Sequence, residues 1–313
     1  MRLRSLLLLA LPALVPSLLA APKIGLLLKA KSGFAGYWGA VEKGAREAGK
    51  ELGVDIIAKA PASESDVGVQ IQLLNAMAAQ GMDAIVIAPI NKEALALPIA
   101  SVAVRGVKLV IVDTPLSGNA APVFVGTDQE AAGRAAGELL AKLVAETDEV
   151  AILRHSQASG ATADREAAAL TAFHATHPKG SVHADIYASA QAGTEVQKAT
   201  LLVTKYPNVK AVLASGTAGT LGLLQVIETE KLAGKFKFIG FGYNLTPQVA
   251  QAIESGEMTA WIAQLPEEMG IKGVRAAVSL LKGEPVAKVV YTNFVIVTAQ
   301  NLKEPKIQAL LSL

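Results

Sequence analysis

A lysine that follows one apolar run, an aspartate that follows a second and a glutamine that ends a third carry the clearest chemical promise in this chain. Lys29 comes after Ile24-Gly-Leu-Leu-Leu28, Asp113 after Leu109-Val-Ile-Val112, and Gln264 after Trp261-Ile-Ala263. Asn244 trails Phe238-Ile-Gly-Phe241, and Gly216-Thr217 trail Ala211-Val-Leu-Ala214. In open α/β sheets a ligand sits beyond the carboxyl ends of the strands, so residues that directly follow strand-like runs are the candidates for contacting it. An ammonium donates, a carboxylate accepts and an amide does both, which is chemistry for holding hydroxyls rather than for breaking bonds. Each residue also has a plainer reading: a solvated charge for Lys29, a turn former before Pro115 for Asp113, a polar strand end for Gln264.

The residues that usually carry covalent chemistry are missing. There is no cysteine, which excludes disulfides, thiolate metal sites and cysteine nucleophiles. No serine has the G-x-S-x-G context, and no carboxylate pair has a placement that demands acid–base work. Of the four histidines, His155, His174, His177 and His183, two are three apart on a predicted helix, but no third ligand accompanies them, so solvated surface histidines are expected and no metal. Gly216-Thr-Ala-Gly219-Thr-Leu-Gly222 fits neither phosphate-loop pattern, and close packing of a helix start accounts for it better. A protein that is not an enzyme and has no cofactor is the expectation.

These candidates need elements to position them. Short β-rich runs alternate with longer segments of helical period, the pattern of parallel sheets covered by helices on both faces. Strands are predicted at Ile24–Leu28, Val54–Ala58, Ala84–Ala88, Lys108–Asp113 and Val123–Val125, with helices near Tyr37–Leu52, Asp66–Gln80 and Glu93–Arg105. A second series repeats the scheme, with strands at Val150–Leu153, Val182–Tyr187, Ala211–Ala214, Phe238–Phe241 and Met258–Ala263. Its helices fall near Glu130–Val144, Thr162–Thr176, Thr194–Lys205, Thr217–Lys231 and Pro247–Glu254, and the chain closes with a helix near Glu267–Lys282 and one run, Val289–Val297. Pro98 should kink or divide its helix. No linker-like stretch separates the halves, so two α/β lobes, each a doubly wound parallel sheet, are expected to be joined by several short crossings.

Residues 1–20 read as a cleaved secretory leader: Arg2 and Arg4, the apolar Leu6–Leu19, then Ala20-Ala21. The whole chain has 29 basic and 27 acidic residues, two of the basic ones being Arg2 and Arg4, so the mature protein is neutral and lacks the charge that nucleic-acid binding requires. Without a cysteine at the cleavage zone there is no lipid anchor, and the periplasm of a two-membraned bacterium is the expected compartment.

Several blocks in order resemble the ribose- and allose-binding branch of the periplasmic binding proteins over most of the mature length. They are Lys23-Ile-Gly-Leu-Leu-Leu-Lys29 with Tyr37-Trp38, Ile87-Ala-Pro-Ile90, Val110-Ile-Val-Asp113, Val125-Gly-Thr-Asp128 and Ile262-Ala-Gln-Leu-Pro266 with Gly270. The resemblance implies the type I fold of that family, with lobes at 23–127 plus 265–293 and 128–264 plus 294–313. It implies ligand roles for Lys29, for stacking Tyr37 and Trp38, for Asp113, Gln264 and Asn244, and for Arg165, which on sequence alone is equally a surface partner of Asp164 or Glu166. Thr114, Gly216 and Thr217 stand where relatives have other polar residues, and no aromatic stands near Ala190-Gln191 where a second stacking ring is expected. The implied function is capture of a sugar or sugar-like polyol and its delivery, by a monomer, to the membrane permease of an ABC importer. The alternatives are the same fold holding a nucleoside, signalling furanose or other small polar ligand, and, less favoured, an exported sugar or nucleoside hydrolase or a repressor-type sensing core.

Overall fold

The computed structural model describes residues 21–31, 36–116, 123–157, 159–188 and 193–312. The expected leader, the Gly33 loop after Lys29 and the Ala190-Gln191 position lie outside the described residues.

Two six-stranded sheets are built by the same winding. The first contains β1 (Lys23–Leu27), β2 (Asp55–Lys59), β3 (Ala84–Ile87), β4 (Lys108–Val112) and β5 (Phe124–Thr127), and the second β6 (Glu149–Arg154), β7 (Ser181–Tyr187), β8 (Ala211–Ala214), β9 (Lys237–Gly242) and β10 (Ala260–Gln264). The orders are β2-β1-β3-β4-β5 and β7-β6-β8-β9-β10, all parallel, so the strand order reverses at β1/β3 in one sheet and at β6/β8 in the other. Strands such as β3 and β8 are buried at every residue, as expected where helices cover both faces.

The helices are α1 (Tyr37–Leu52), α2 (Val67–Ala79), α3 (Ala96–Val104), α4 (Gln129–Lys142), α5 (Gly160–Thr176), α6 (Glu195–Lys205), α7 (Thr217–Thr229), α8 (Pro247–Ser255), α9 (Pro266–Leu281) and the short α10 (Pro305–Gln308). Each sheet has an apolar cluster on both faces, which gives each lobe its own core. In the first lobe α1 presents Trp38, Val41, Ala45 and Ala48 to the sheet and packs against α9. Their backbones nearly touch: a Cβ on Gly44 would lie 2.0 Å from the carbonyl oxygen of Glu267. The second lobe repeats the device with α4 and α5, where a Cβ on Gly133 would lie 2.1 Å from the carbonyl oxygen of Arg165.

Three expectations are corrected. The run Val289–Val297 is two strands: β11 (Val289–Thr292) lies parallel to β5 in the first sheet, and β12 (Phe294–Val297) lies antiparallel to β10 in the second. Only Asn293 separates them, tied to Glu268 through its backbone and side-chain amides. A continuous apolar run carries no mark of which sheet each half joins. Pro98 kinks nothing, because α3 begins at Ala96 and the proline falls in the first turn, where no intrahelical donor is lost. The fourth strand stops at Val112, and Asp113 leaves it with φ of +64°, in the left-handed region.

Candidate functional site

The carboxyl ends of the two sheets face one cavity of about 220 Å³. Lys29, Tyr37, Trp38 and Asp113 line it from the first lobe, and Arg165, Gly216, Thr217 and Gln264 from the second.

Lys29 follows β1 and is buried, 5% exposed. Its ammonium donates to Asp113 Oδ2 at 2.5 Å and to Thr114 Oγ1 at 2.7 Å, and lies 5.5 Å from the centre of the Trp38 ring. The ends of β1 and β3 beside it are held by Gln70, whose amide nitrogen donates to the Leu28 and Ala88 carbonyls and whose oxygen accepts from Ile90 N–H.

Asp113 is aimed by its backbone. Thr114 N–H donates back to the Val112 carbonyl at 2.8 Å, closing a three-residue γ-turn around a residue of positive φ, a conformation that Asp tolerates better than most and that turns its side chain off the strand line. Oδ1 accepts from Tyr37 Oη at 3.1 Å, while Thr114 Oγ1 and Lys29 share Oδ2. Burial pushes the Asp113 carboxyl up, but the Lys29 charge and the hydrogen bonds from Lys29, Thr114 and Tyr37 outweigh it and hold the group below the usual carboxylate range. Burial, then the adjacent Asp113 charge, pushes the Tyr37 phenol well up, so Tyr37 remains a donor.

Arg165, in the second turn of α5, is 2% exposed rather than a surface partner of its neighbours. Its Nε and Nη2 donate to Gln129 Oε1 at 3.0 and 2.6 Å, its Nη1 to the Ser215 carbonyl at 2.5 Å, and the guanidinium lies 4.4 Å from the centre of the Phe241 ring. Both acceptors are neutral, and two of its five N–H groups have no hydrogen-bond partner among the described residues. Burial lowers its pKa to about 10, still far above neutrality, so it stays a cation. Glu166, the other residue weighed as its partner, is also buried: it accepts from Arg154 Nε, His155 N–H and Ser215 Oγ and so clamps the ends of β6 and β8 together.

Gln264 closes β10 at the cavity wall and accepts from Gln129 Nε2 at 3.1 Å. Gly216 and Thr217 begin α7 at the same wall. Two candidates are not brought to the cavity. Thr114 stands behind it, 1% exposed, as the bridge between Lys29 and Asp113. Asn244 lines an adjoining hollow with Lys43, Leu265 and Pro266, which shares Tyr243 and Gln264 with the cavity, and its neighbour Tyr243 reaches the cavity itself, edge-on to Tyr37 with ring centres 5.4 Å apart.

Glu64, Gln129, His155, Ser159, Thr162 and Tyr243 also line the cavity and were not among the sequence candidates. His155 directly follows β6, so the strand-end rule reaches it, contrary to the surface role expected for the histidines. His177 is buried against the Phe173 ring, and among the described residues no group of three possible ligands could hold a metal ion.

Residues 24–285 match the family model described as periplasmic binding protein domain. The D-allose-binding periplasmic protein of Escherichia coli is 28% identical over 282 residues, 86% of this chain and 88% of that one. The ribose import binding protein of the same organism is 25% identical over 252 residues, 80% of this chain and 82% of that one. Among solved structures, a carbohydrate transporter solute-binding protein from Agrobacterium radiobacter in complex with D-arabinose superposes with a TM-score of 0.85 at 32% identity, covering 93% of this chain and 99% of that one. An ABC transporter solute-binding protein from Agrobacterium vitis with bound D-fucose does so with 0.85 at 26% identity, covering 92% and 99%. These relatives are solute-binding proteins, and the protein folded here, with its two doubly wound lobes, belongs to the periplasmic binding protein domain family and has the type I fold.

Proposed function

We propose that this protein captures a single small sugar or sugar-like polyol between its lobes and delivers it to the membrane permease of an ABC importer. The observation that carries this reading is the convergence of an Asp113 acceptor from one lobe and Arg165 donors from the other on one cavity of about 220 Å³. That volume is below the roughly 300–1,000 Å³ of pockets for drug-sized ligands and suits one small solute. Asp113 accepts from ligand hydroxyls, the spare N–H groups of Arg165 donate to ligand oxygens, and Trp38 and Tyr37 offer ring surface to a C–H face. Lys29 and Gln264 complete the polar wall, with Gly216 and Thr217 at its second-lobe end.

The lobes comprise 23–127 plus 265–293 and 128–264 plus 294–313, and the protein works in the periplasm as a monomer after losing residues 1–20. Binding without turnover follows from a site whose charged groups are spent on holding: Lys29 is engaged by Asp113, and Arg165 by Gln129 and Ser215.

Isothermal titration of ligand-stripped protein against aldoses, polyols and nucleosides tests this. The expected result is one site, micromolar or tighter, for an aldose or polyol, and an unchanged ligand mass after prolonged incubation. Nucleoside binding with no aldose or polyol binding overturns the ligand class, and a new product mass overturns the transport role.

A further inference from the structure

His155 faces the cavity and plays no part in the recognition described above. It is the first residue after β6, and its backbone N–H donates to the buried Glu166 Oε1 at 3.0 Å, which fixes the root of the side chain. The Nδ1 atom is buried with no hydrogen-bond partner among the described residues. Gly216 closes over it: a Cβ at that position would lie 3.0 Å from Nδ1, so the absence of a side chain there makes room for the ring. With Nδ1 sealed, Nε2 is the nitrogen that meets the cavity.

An imidazole so placed has a preferred tautomer. A buried N–H without an acceptor is a costlier orphan than a buried lone pair, so the proton belongs on Nε2. The charges around the ring come from both lobes: Glu64 and Lys29 from the first, and Glu166 and Arg165 from the second. Burial is the largest influence and holds His155 below its ordinary pKa, so at neutral pH the ring is uncharged, with one donor and one closed-off acceptor.

We propose that His155 is a specificity-determining residue of this site, its Nε2–H donating to the oxygen of one particular ligand hydroxyl. The proposal rests on the sugar-capture reading and deepens it. The arrangement selects among sugars because a donor fixed by Glu166 and Gly216 cannot follow a hydroxyl that is inverted or missing. An unsatisfied partner in a closed cavity is what a site uses to reject an analogue.

The test titrates wild type, H155A, H155Q and H155N with D-allose, D-ribose, D-arabinose and D-fucose, then with the monodeoxy series of whichever aldose wild type binds most tightly. H155A should weaken that aldose by about tenfold or more, the loss of one buried hydrogen bond. H155Q, whose amide nitrogen reaches the position of Nε2, should recover most of the loss, and H155N, which reaches only the Nδ1 position, should not. One deoxy sugar should bind wild type weakly and lose nothing more with H155A, a signature that general damage to the fold does not produce. If H155A does not fold, the comparison of H155Q with H155N decides the same point. Wild-type affinity in H155A, equal rescue by Asn and Gln, or an equal loss with every deoxy sugar overturns the proposal. Failure of wild type to bind these four or any other aldose or polyol would instead overturn the sugar reading, and this proposal with it.

Discussion

Lys29 and Asp113 form a buried ion pair at the wall of the cavity. Removing one partner of such a pair strands the other charge, at a cost of about 3–5 kcal/mol. Lys29→Met should therefore destabilise the ligand-free protein by several degrees in a thermal melt, and also change its response to acid. In the wild type the Asp113 pKa is depressed below its unfolded value, so the pair contributes stability above that unfolded value and loses it only as pH falls through the lower, folded one. Without Lys29, burial dominates and raises the carboxyl above its unfolded value, so this group destabilises the variant near neutral pH and ceases to do so as acid protonates it; the stability deficit relative to wild type, read from denaturant melts followed by circular dichroism, should shrink as pH falls. A deficit that is the same at every pH would show that Lys29 does not set the state of Asp113. Asp113 was legible because a lone carboxylate followed four apolar residues. Its left-handed turn was not, since nothing in Asp113-Thr-Pro115 distinguishes a strand that ends at the aspartate from one that ends before it. Asn244 lies one residue beyond the position that reaches the cavity for a related reason: β9 runs to Gly242, and Tyr243 follows it into the cavity wall. His155 fits the strand-end rule, but nothing in its sequence surroundings separates it from a solvated surface histidine.

The helices act on the site through how closely they approach. Gly133 lets α4 lie against the backbone of α5 at Arg165 itself, and α4 also carries Gln129, the acceptor that holds the guanidinium. Gly133→Ala places a methyl where the Arg165 carbonyl now lies, so the helices must separate and Gln129 must retreat from Arg165. Loss of stability by about 1–3 kcal/mol is expected from overpacking of this kind, together with weaker ligand binding, both readable by denaturant melts and titration. Gly44→Ala, the equivalent change between α1 and α9, should cost similar stability, yet it lies away from Arg165 and should disturb binding less. Equal binding losses in the two variants would deny α4 its role in placing the arginine. Helix α1 was read from its sequence to the residue because Trp38, Val41, Ala45 and Ala48 keep one stripe and Gly53 ends it with φ of +68°. The pairing of α1 with α9 and of α4 with α5 was not legible, because a glycine in a helix marks close packing without naming the partner.

At the scale of the whole molecule, the chain passes between the two sheets after β5, after β10 and at Asn293. Thr127 and Thr292 hydroxyls meet at 3.2 Å beside the passages after β5 and at Asn293, and the Gln129–Gln264 bond links the passages after β5 and after β10. The lobes touch across the cavity through Tyr37 and Tyr243. A ligand that contacts both lobes shifts the population toward the closed arrangement, because it gains its full set of contacts only there. Small-angle scattering should accordingly show a smaller radius of gyration on addition of the bound aldose. Tyr243→Ala should raise the dissociation constant by less than loss of Asp113 does, since it removes a contact between lobes rather than the acceptor itself. The two-lobed architecture was evident from the doubled alternation of strands and helices. The splitting of Val289–Val297 between sheets was not, because both halves alternate alike and the partners that separate them, β5 and β10, are distant in the chain.

Asp113 from one lobe and Arg165 from the other are expected to grip the same bound solute. Titration of the tightest-binding aldose into wild type, D113A and R165A measures this directly. One site in the wild type, with affinity reduced more than tenfold in each variant as a stranded hydroxyl or oxygen costs about 1–3 kcal/mol, is the predicted outcome; wild-type affinity in either folded variant would contradict the account.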